Sequence, residues 1–130
     1  MATDTGLGEL THGTVYVEDM NDALEWYTEK LGFEKMEDEE TPQGRWLTVS
    51  PGNEGPNLVL MEPEEGEENR VGDSPMWVVS TEDCEETTKE LERRGVRVIQ
   101  PPVDESWGTM SIIVDLYGNP FCIGEPDEEH

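Results

Sequence analysis

Apolar residues along the chain change period in a regular way. His12, Thr14 and Tyr16 alternate with Gly13, Val15 and Val17, the two-residue period of a strand with two unlike faces. Met20, Ala23, Leu24, Tyr27 and Leu31 then recur at three- and four-residue steps, which predicts a helix with one buried stripe. Asp19 suits its N-cap, Asp22 complements the dipole in the first turn, and Gly32 can take the positive φ of a helix stop. Residues 33–36 start a second strand, and the acidic, proline-containing 37–43 reads as an exposed turn. Residues 45–50 and 57–62 read as strands parted by Pro51-Gly52-Asn53, and residues 1–9 as a loose lead-in.

Residues 63–75 are Glu-rich with little to bury, which makes them a linker. The pattern then starts again. Residues 76–80 predict a strand, and Thr81–Asp83 a cap. Cys84, Thr87, Thr88 and Leu91 form a weaker helical stripe, and Gly95 a stop. Residues 96–100, 108–114 and 120–124 predict strands, with 115–119 as a turn and 126–130 as a polar tail. Gly32 recurs as Gly95 63 residues on, and Met20, Tyr27 and Gly44 recur as Cys84, Leu91 and Gly108 64 residues on. Each half is a βαβββ module that leaves one sheet face unburied, so two modules must pack together. The 130 residues make a single domain, with module one at about 10–63, the linker at about 64–75 and module two at about 76–125.

Composition narrows the partners. Thirty-two acidic residues against eight basic ones leave a formal net charge of −24 and a pI near 4.1. That field repels phosphate backbones and anionic lipid surfaces, which argues against nucleic acid and membrane as partners. The carboxylates are spread through loops, helices and tail, the pattern of a protein adapted to a salt-rich cytosol; a cation-binding surface is the competing account. No stretch is long and apolar enough for a membrane span, and residues 1–8 lack the basic and apolar regions of a signal peptide. Cys84 and Cys122 have no framework or zinc spacing, which fits free thiols in a reducing cytoplasm.

The paired modules carry His12-Gly13-Thr14-Val15-Tyr16-Val17, Trp26-Tyr27, Leu31-Gly32-Phe33, Arg94-Gly95-Val96, Trp107-Gly108-Thr109 and Asp115-Leu116-Tyr117-Gly118-Asn119. Together these resemble the vicinal oxygen chelate superfamily over roughly residues 10–125. That group includes glyoxalase I, extradiol dioxygenases, fosfomycin-resistance enzymes and the metal-free bleomycin-resistance proteins. The resemblance implies an α+β fold of two tandem βαβββ modules forming curved mixed sheets around a central cleft, and a homodimer. It also implies four cleft-facing ligand positions in metal-using members. In this chain they fall on His12, Leu60, Met76 and Cys122. Leu60 is placed there by strand register, and Glu62 shares its parity. A hard divalent ion wants oxygen and imidazole donors, and three of these four positions depart from that set. No metal cofactor is therefore expected; the alternative is a divalent ion, such as zinc or copper, held by His12, Glu62 and Cys122.

The residues leave several chemistries open. His12 is a metal ligand, a general base or a hydrogen-bonding pocket group. Cys122 is either a nucleophile paired with His12 or an apolar filler. Tyr16, Trp46, Met76 and Trp107 are either walls of an apolar aromatic pocket or core, with Trp107-Gly108 the favoured pocket pair. Trp26 and Trp77 point toward the helix layer. Arg45, at a cleft-side strand entrance, is read as an ion-pair partner for neighbouring acid, with an anionic substrate as the alternative, and the acidic runs 37–40, 64–68 and 127–129 as solvated surface. The expectation is a glyoxalase/bleomycin-resistance-like protein that binds a small organic molecule at His12, Tyr16, Trp46, Leu60, Met76, Trp107 and Cys122. The enzymatic alternative is a metal-dependent lyase or isomerase of the glyoxalase I type, with His12 and Cys122 as the candidate catalytic groups.

Overall fold

The computed structural model describes residue 6 and residues 10–52 and 56–126. Most of the expected lead-in, Asn53 of the expected break and the tail after Pro126 lie outside the described residues. Chain order is β1 (His12–Tyr16), α1 (Met20–Lys30), β2 (Glu34–Thr41), β3 (Gly44–Ser50), β4 (Asn57–Met61), a single 3-10 turn (Glu68–Arg70), β5 (Trp77–Ser80), α2 (Cys84–Arg93), β6 (Arg97–Glu105), β7 (Gly108–Val114) and β8 (Pro120–Pro126). Module one forms a sheet ordered β1-β4-β3-β2, here sheet A, and module two a sheet ordered β5-β8-β7-β6, sheet B. In each, the first strand pairs parallel to the fourth and the remaining pairs run antiparallel. Two tandem βαβββ modules with mixed sheets are the expected architecture, and the sheets do not close into a barrel.

The two helices start alike because the same donors need the same acceptors. Asp19 and Asp83 cap them by accepting from the N–H of Asp22 and Glu86. The N–H of Met20 is taken by Glu62 Oε2 at 3.0 Å, and that of Cys84 by Glu125 Oε1 at 2.8 Å. A carboxylate from the end of the fourth strand of each module thus supplements each cap, where the helix dipole favours negative charge. Both helices end on a glycine at positive φ, Gly32 at +73° and Gly95 at +93°, a conformation without a Cβ penalty only for glycine.

Two segments extend further than their composition indicates. Residues 37–41 are strand, not turn: β2 pairs with β3 from Glu34–Ser50 down to Thr41–Gly44, and the chain reverses over Pro42-Gln43 alone. Cross-strand partners carry the acid here, since Arg45 donates to both oxygens of Asp38 at 2.8 and 2.9 Å. Residues 101–105 likewise continue β6 through Pro101-Pro102. Proline lacks the N–H that a central strand needs, but β6 is an edge strand, and its register shifts around these residues.

One continuous core joins the modules. Val15, Val17, Leu47, Val49, Leu58 and Leu60 of sheet A pack with Met20, Ala23 and Tyr27 of α1, and Ile113, Phe121 and Ile123 of sheet B join the same cluster. Tyr27 is fully buried, with its ring 5.9 Å from Phe33 and 6.0 Å from Phe121 between centroids. Its hydroxyl donates to Asp115 Oδ2 at 2.6 Å. Asn119, also fully buried, donates from Nδ2 to the same Asp115 oxygen and to the Tyr16 carbonyl, both at 3.0 Å. Its Oδ1 accepts from the backbone and hydroxyl of Ser74. This turn of module two therefore clasps the first strand and helix of module one.

Candidate functional site

The face of each sheet away from its helix is the accessible one, called here the open face. In sheet A the register fixes its membership. Thr14 pairs with Val59, and Val59 with Thr48, whereas Val15 pairs with Leu60. Val15 and Leu60 are fully buried in the core, so Leu60 belongs to the helix side and not to the cleft. Asn57, Val59 and Met61 hold the open-face positions of β4. Glu62, the alternative at that strand, is committed to the start of α1 through the Met20 N–H.

His12, Thr14 and Tyr16 of β1, Trp46 and Thr48 of β3, and Glu37 of β2 share the open face of sheet A. Sequence reading assigns Glu37 to a solvated acidic run. Its Oε1 instead accepts from Trp46 Nε1 at 3.0 Å and from Thr48 Oγ1 at 3.3 Å, and lies 3.6 Å from His12 Nε2. The Trp46 hydrogen bond, with help from Thr48 and His12, holds this carboxyl below its usual range. The His12 ring meets Trp46 edge-on at 5.3 Å. β1 and β2 are the two outer strands of a four-stranded sheet, with backbones about 14 Å apart at roughly 4.8 Å per strand. Two side chains can approach across that span only because the face is concave. Thr48 and Val59 lie beneath them, 0% and 3% exposed.

Toward the linker this face continues into a hollow of about 420 Å³, lined by Thr14, Tyr16, Arg70, Ser74 and Trp77 among others. Small-molecule sites commonly measure about 300–1,000 Å³. The Arg70 guanidinium stands 5.3 Å from the Tyr16 ring centroid. A separate hollow of about 390 Å³ opens on the helix side at the junction of the modules, against Phe33, Leu58, Trp77 and Phe121. It lacks a convergent set of polar side chains among the described residues.

Sheet B carries different chemistry on its open face. Cys122 pairs with Val78 and with Ile112, and Met110 with Gly124. Trp107 occupies the two-residue turn between β6 and β7, and its ring lies over Gly124. A Cβ added at Gly124 would sit 3.3 Å from that ring and 3.6 Å from Val78. The close glycine–tryptophan pair is thus Trp107 with Gly124, not with its chain neighbour Gly108. Met76 stands just before β5, half-exposed. Burial, with a smaller contribution from Cys84, pushes the Cys122 thiol up, so at neutral pH it is a thiol and not a thiolate.

The candidate residues therefore divide. His12, Tyr16 and Trp46 share one surface with Glu37; Cys122 and Trp107 share the other with Val78. No hydrogen bond joins His12 to Cys122 among the described residues, and a thiolate–imidazole pair is not assembled. A metal fares no better: among the described residues no three His, Cys, Asp or Glu side chains are placed to hold an ion. The donors named for one are engaged elsewhere or apart, with Glu62 on the helix and Cys122 in the other sheet. Arg45 also sits on the helix side, donating to Asp38 and to Asn21 Oδ1 at 2.8 Å. Cys84 is fully buried core, and both cysteines are free. No helix among the described residues is long and apolar enough to cross a membrane.

Comparison with known proteins agrees with this fold. The structure superposes on TnmS3 of Streptomyces sp. CB03234, described as an antibiotic binding protein, with a TM-score of 0.85 and 27% identity, over 95% of this chain and 99% of that one. A superfamily member from Sphaerobacter thermophilus DSM 20745 gives a TM-score of 0.80 at 30% identity, over 92% and 98%. Among sequences, YurT of Bacillus subtilis (strain 168) is 31% identical over 114 residues, covering 82% of this chain and 90% of YurT. The family model for the Glyoxalase/Bleomycin resistance protein/Dioxygenase superfamily matches residues 9–123. The chain belongs to that superfamily.

Proposed function

We propose that this protein binds a small organic molecule with a flat ring on the open face of sheet A, without a resident metal. The observation that carries the reading is the constellation of His12, Trp46, Thr48 and Glu37, gathered from three strands onto one concave face. An aromatic wall with a few convergent polar groups is the usual make-up of a small-molecule site. The likeness to TnmS3, an antibiotic binding protein, supports the same class of role. Tyr16 and the hollow beside Arg70 extend the site toward the linker, and His12 supplies a hydrogen-bonding anchor.

The functional unit in this reading is a homodimer in a cytoplasm rich in salt. Val78 is 67% exposed and Val103 38% exposed on the open face of sheet B, apolar surface that a second copy would cover. The acidic surface is the adaptation to salt, so the melting temperature rises between dilute buffer and molar salt.

Titration of tag-free protein with a panel of aromatic natural products, followed by tryptophan fluorescence and calorimetry, tests the site. Binding at one site per chain, weakened in His12→Ala, is the expected result. Metal analysis of the same preparation is expected to find no tightly held divalent ion. One ion per chain, lost in His12→Ala, would overturn the metal-free reading and favour a glyoxalase-type lyase.

A further inference from the structure

The open face of sheet A sets a carboxylate directly against aromatic rings. Asp38, Glu67, Glu86 and Glu90 each stand within ion-pair distance of a lysine or arginine. Among the described residues, Glu37 has no such partner, only the indole N–H of Trp46, the hydroxyl of Thr48 and the imidazole of His12. All three approach Oε1, and Oε2 has no hydrogen-bond donor among the described residues. Glu39, opposite Trp46 in the β2–β3 register, adds a second carboxylate to the same face.

A second observation shows what the rings of this face attract. Tyr16 has the Arg70 guanidinium over its ring, a cation delivered by the linker from outside the sheet. Electron-rich faces of tyrosine and tryptophan attract cations, the more so where the pair is shielded from water. An aromatic wall with a free carboxylate beside it is complementary to a positive ligand and unfavourable for a negative one.

Resting on the reading of this face as the ligand site, we propose that its ligand is an organic cation. A protonated amine or quaternary nitrogen on a flat ring system would place its positive end at Glu37 and its ring against Trp46 and His12. Glu37 is then the residue that determines specificity, and the anionic or neutral version of the same ring is the poorer ligand. Arg70 on Tyr16 is an internal cation of the same kind, set at the far end of β1.

The net charge of −24 enriches any cation near the surface in dilute buffer, so the measurement belongs at 1 M NaCl, where the screening length is about 3 Å. Calorimetry would compare three probes of one shape: N-methylquinolinium, 1-methylnaphthalene and 1-naphthoate. The expected result is that the cation binds about tenfold or more tightly than the neutral probe, with the naphthoate weakest. That preference should vanish in Glu37→Gln, which keeps an acceptor for the Trp46 N–H, and survive in Glu92→Gln, an exposed site on α2. Equal affinity of the native protein for cation and neutral probe would overturn the proposal while leaving the aromatic site intact, and this arm needs no variant to fold. Persistence of the preference in Glu37→Gln would also overturn it. Failure of all three probes to bind would remove the site itself.

Discussion

The open faces of the two sheets come from one repeated module and have parted chemically. Sheet A gathers an imidazole, an indole, a hydroxyl and a carboxylate that bond to one another across the strands. Sheet B presents Val78, Ile112, Met110 and Cys122, with Trp107 lying on Gly124. The scaffold under both is the same down to the capping carboxylates, Glu62 and Glu125. Duplication thus preserved what holds each helix to its sheet and released the face that the helix does not touch. Polar side chains gathered on one copy and apolar surface on the other.

The largest way to break this comparison is to detach the two faces from each other. Asn119→Ala removes the one oxygen that accepts from both the N–H and the hydroxyl of Ser74, and the tie to the Tyr16 carbonyl, within a fully buried site. Leaving those groups unpaired is expected to cost about 3 kcal/mol, read by urea denaturation, with the midpoint falling and the slope unchanged. A loss below about 1 kcal/mol would show that the apolar core alone joins the modules.

Ligand binding sharpens it next. Trp46→Ala should weaken an aromatic ligand about tenfold or more, whereas Trp107→Ala should change it by less than about threefold. Comparable losses in both would mean that a ligand touches both sheets. The thiol of sheet B gives a smaller, kinetic contrast. Because burial raises its pKa, Cys122 should react with iodoacetamide more slowly at neutral pH than an unstructured peptide thiol, and accelerate only in alkaline solution. Fast modification at pH 7 would expose a thiolate and reopen a catalytic role.

The smallest effect expected is acid titration of Glu37. Its folded pKa is depressed, so its contribution is complete above the ordinary glutamate range and is lost as pH falls through the lower folded value. Affinity for a cationic ligand should be flat from pH 8 to 6 and decline only in more acid solution. A decline already complete at pH 6 would show that a group other than Glu37 sets the affinity.

Much of the fold is written in local chemistry. The strand–cap–helix–glycine order of residues 12–32 and its echo at 77–95 can be read because period, cap and stop agree there. The site is less legible, for two physical reasons. Leu58-Val59-Leu60-Met61 is apolar on both faces, so hydropathy cannot say which parity looks inward; only its pairing with Val15 and Thr48 assigns Leu60 to the core. Glu37 sits among four consecutive acids, and composition makes such a run look solvated. The available signal was the two-residue turn at Pro42-Gln43, which sets β2 against β3 and aligns Glu37 with Thr48. Proline read as an interruption concealed it.

The clasp between modules also orders events in time. The Tyr27 hydroxyl waits for a carboxylate 88 residues later in the chain, and the Tyr16 carbonyl for an amide 103 residues later. During synthesis, module one emerges with these buried groups unanswered, and contacts so distant in sequence form slowly. The first half of this protein is therefore not a finished object until the second half has left the ribosome. The first strand of module one is tied down by the turn at residues 115–119.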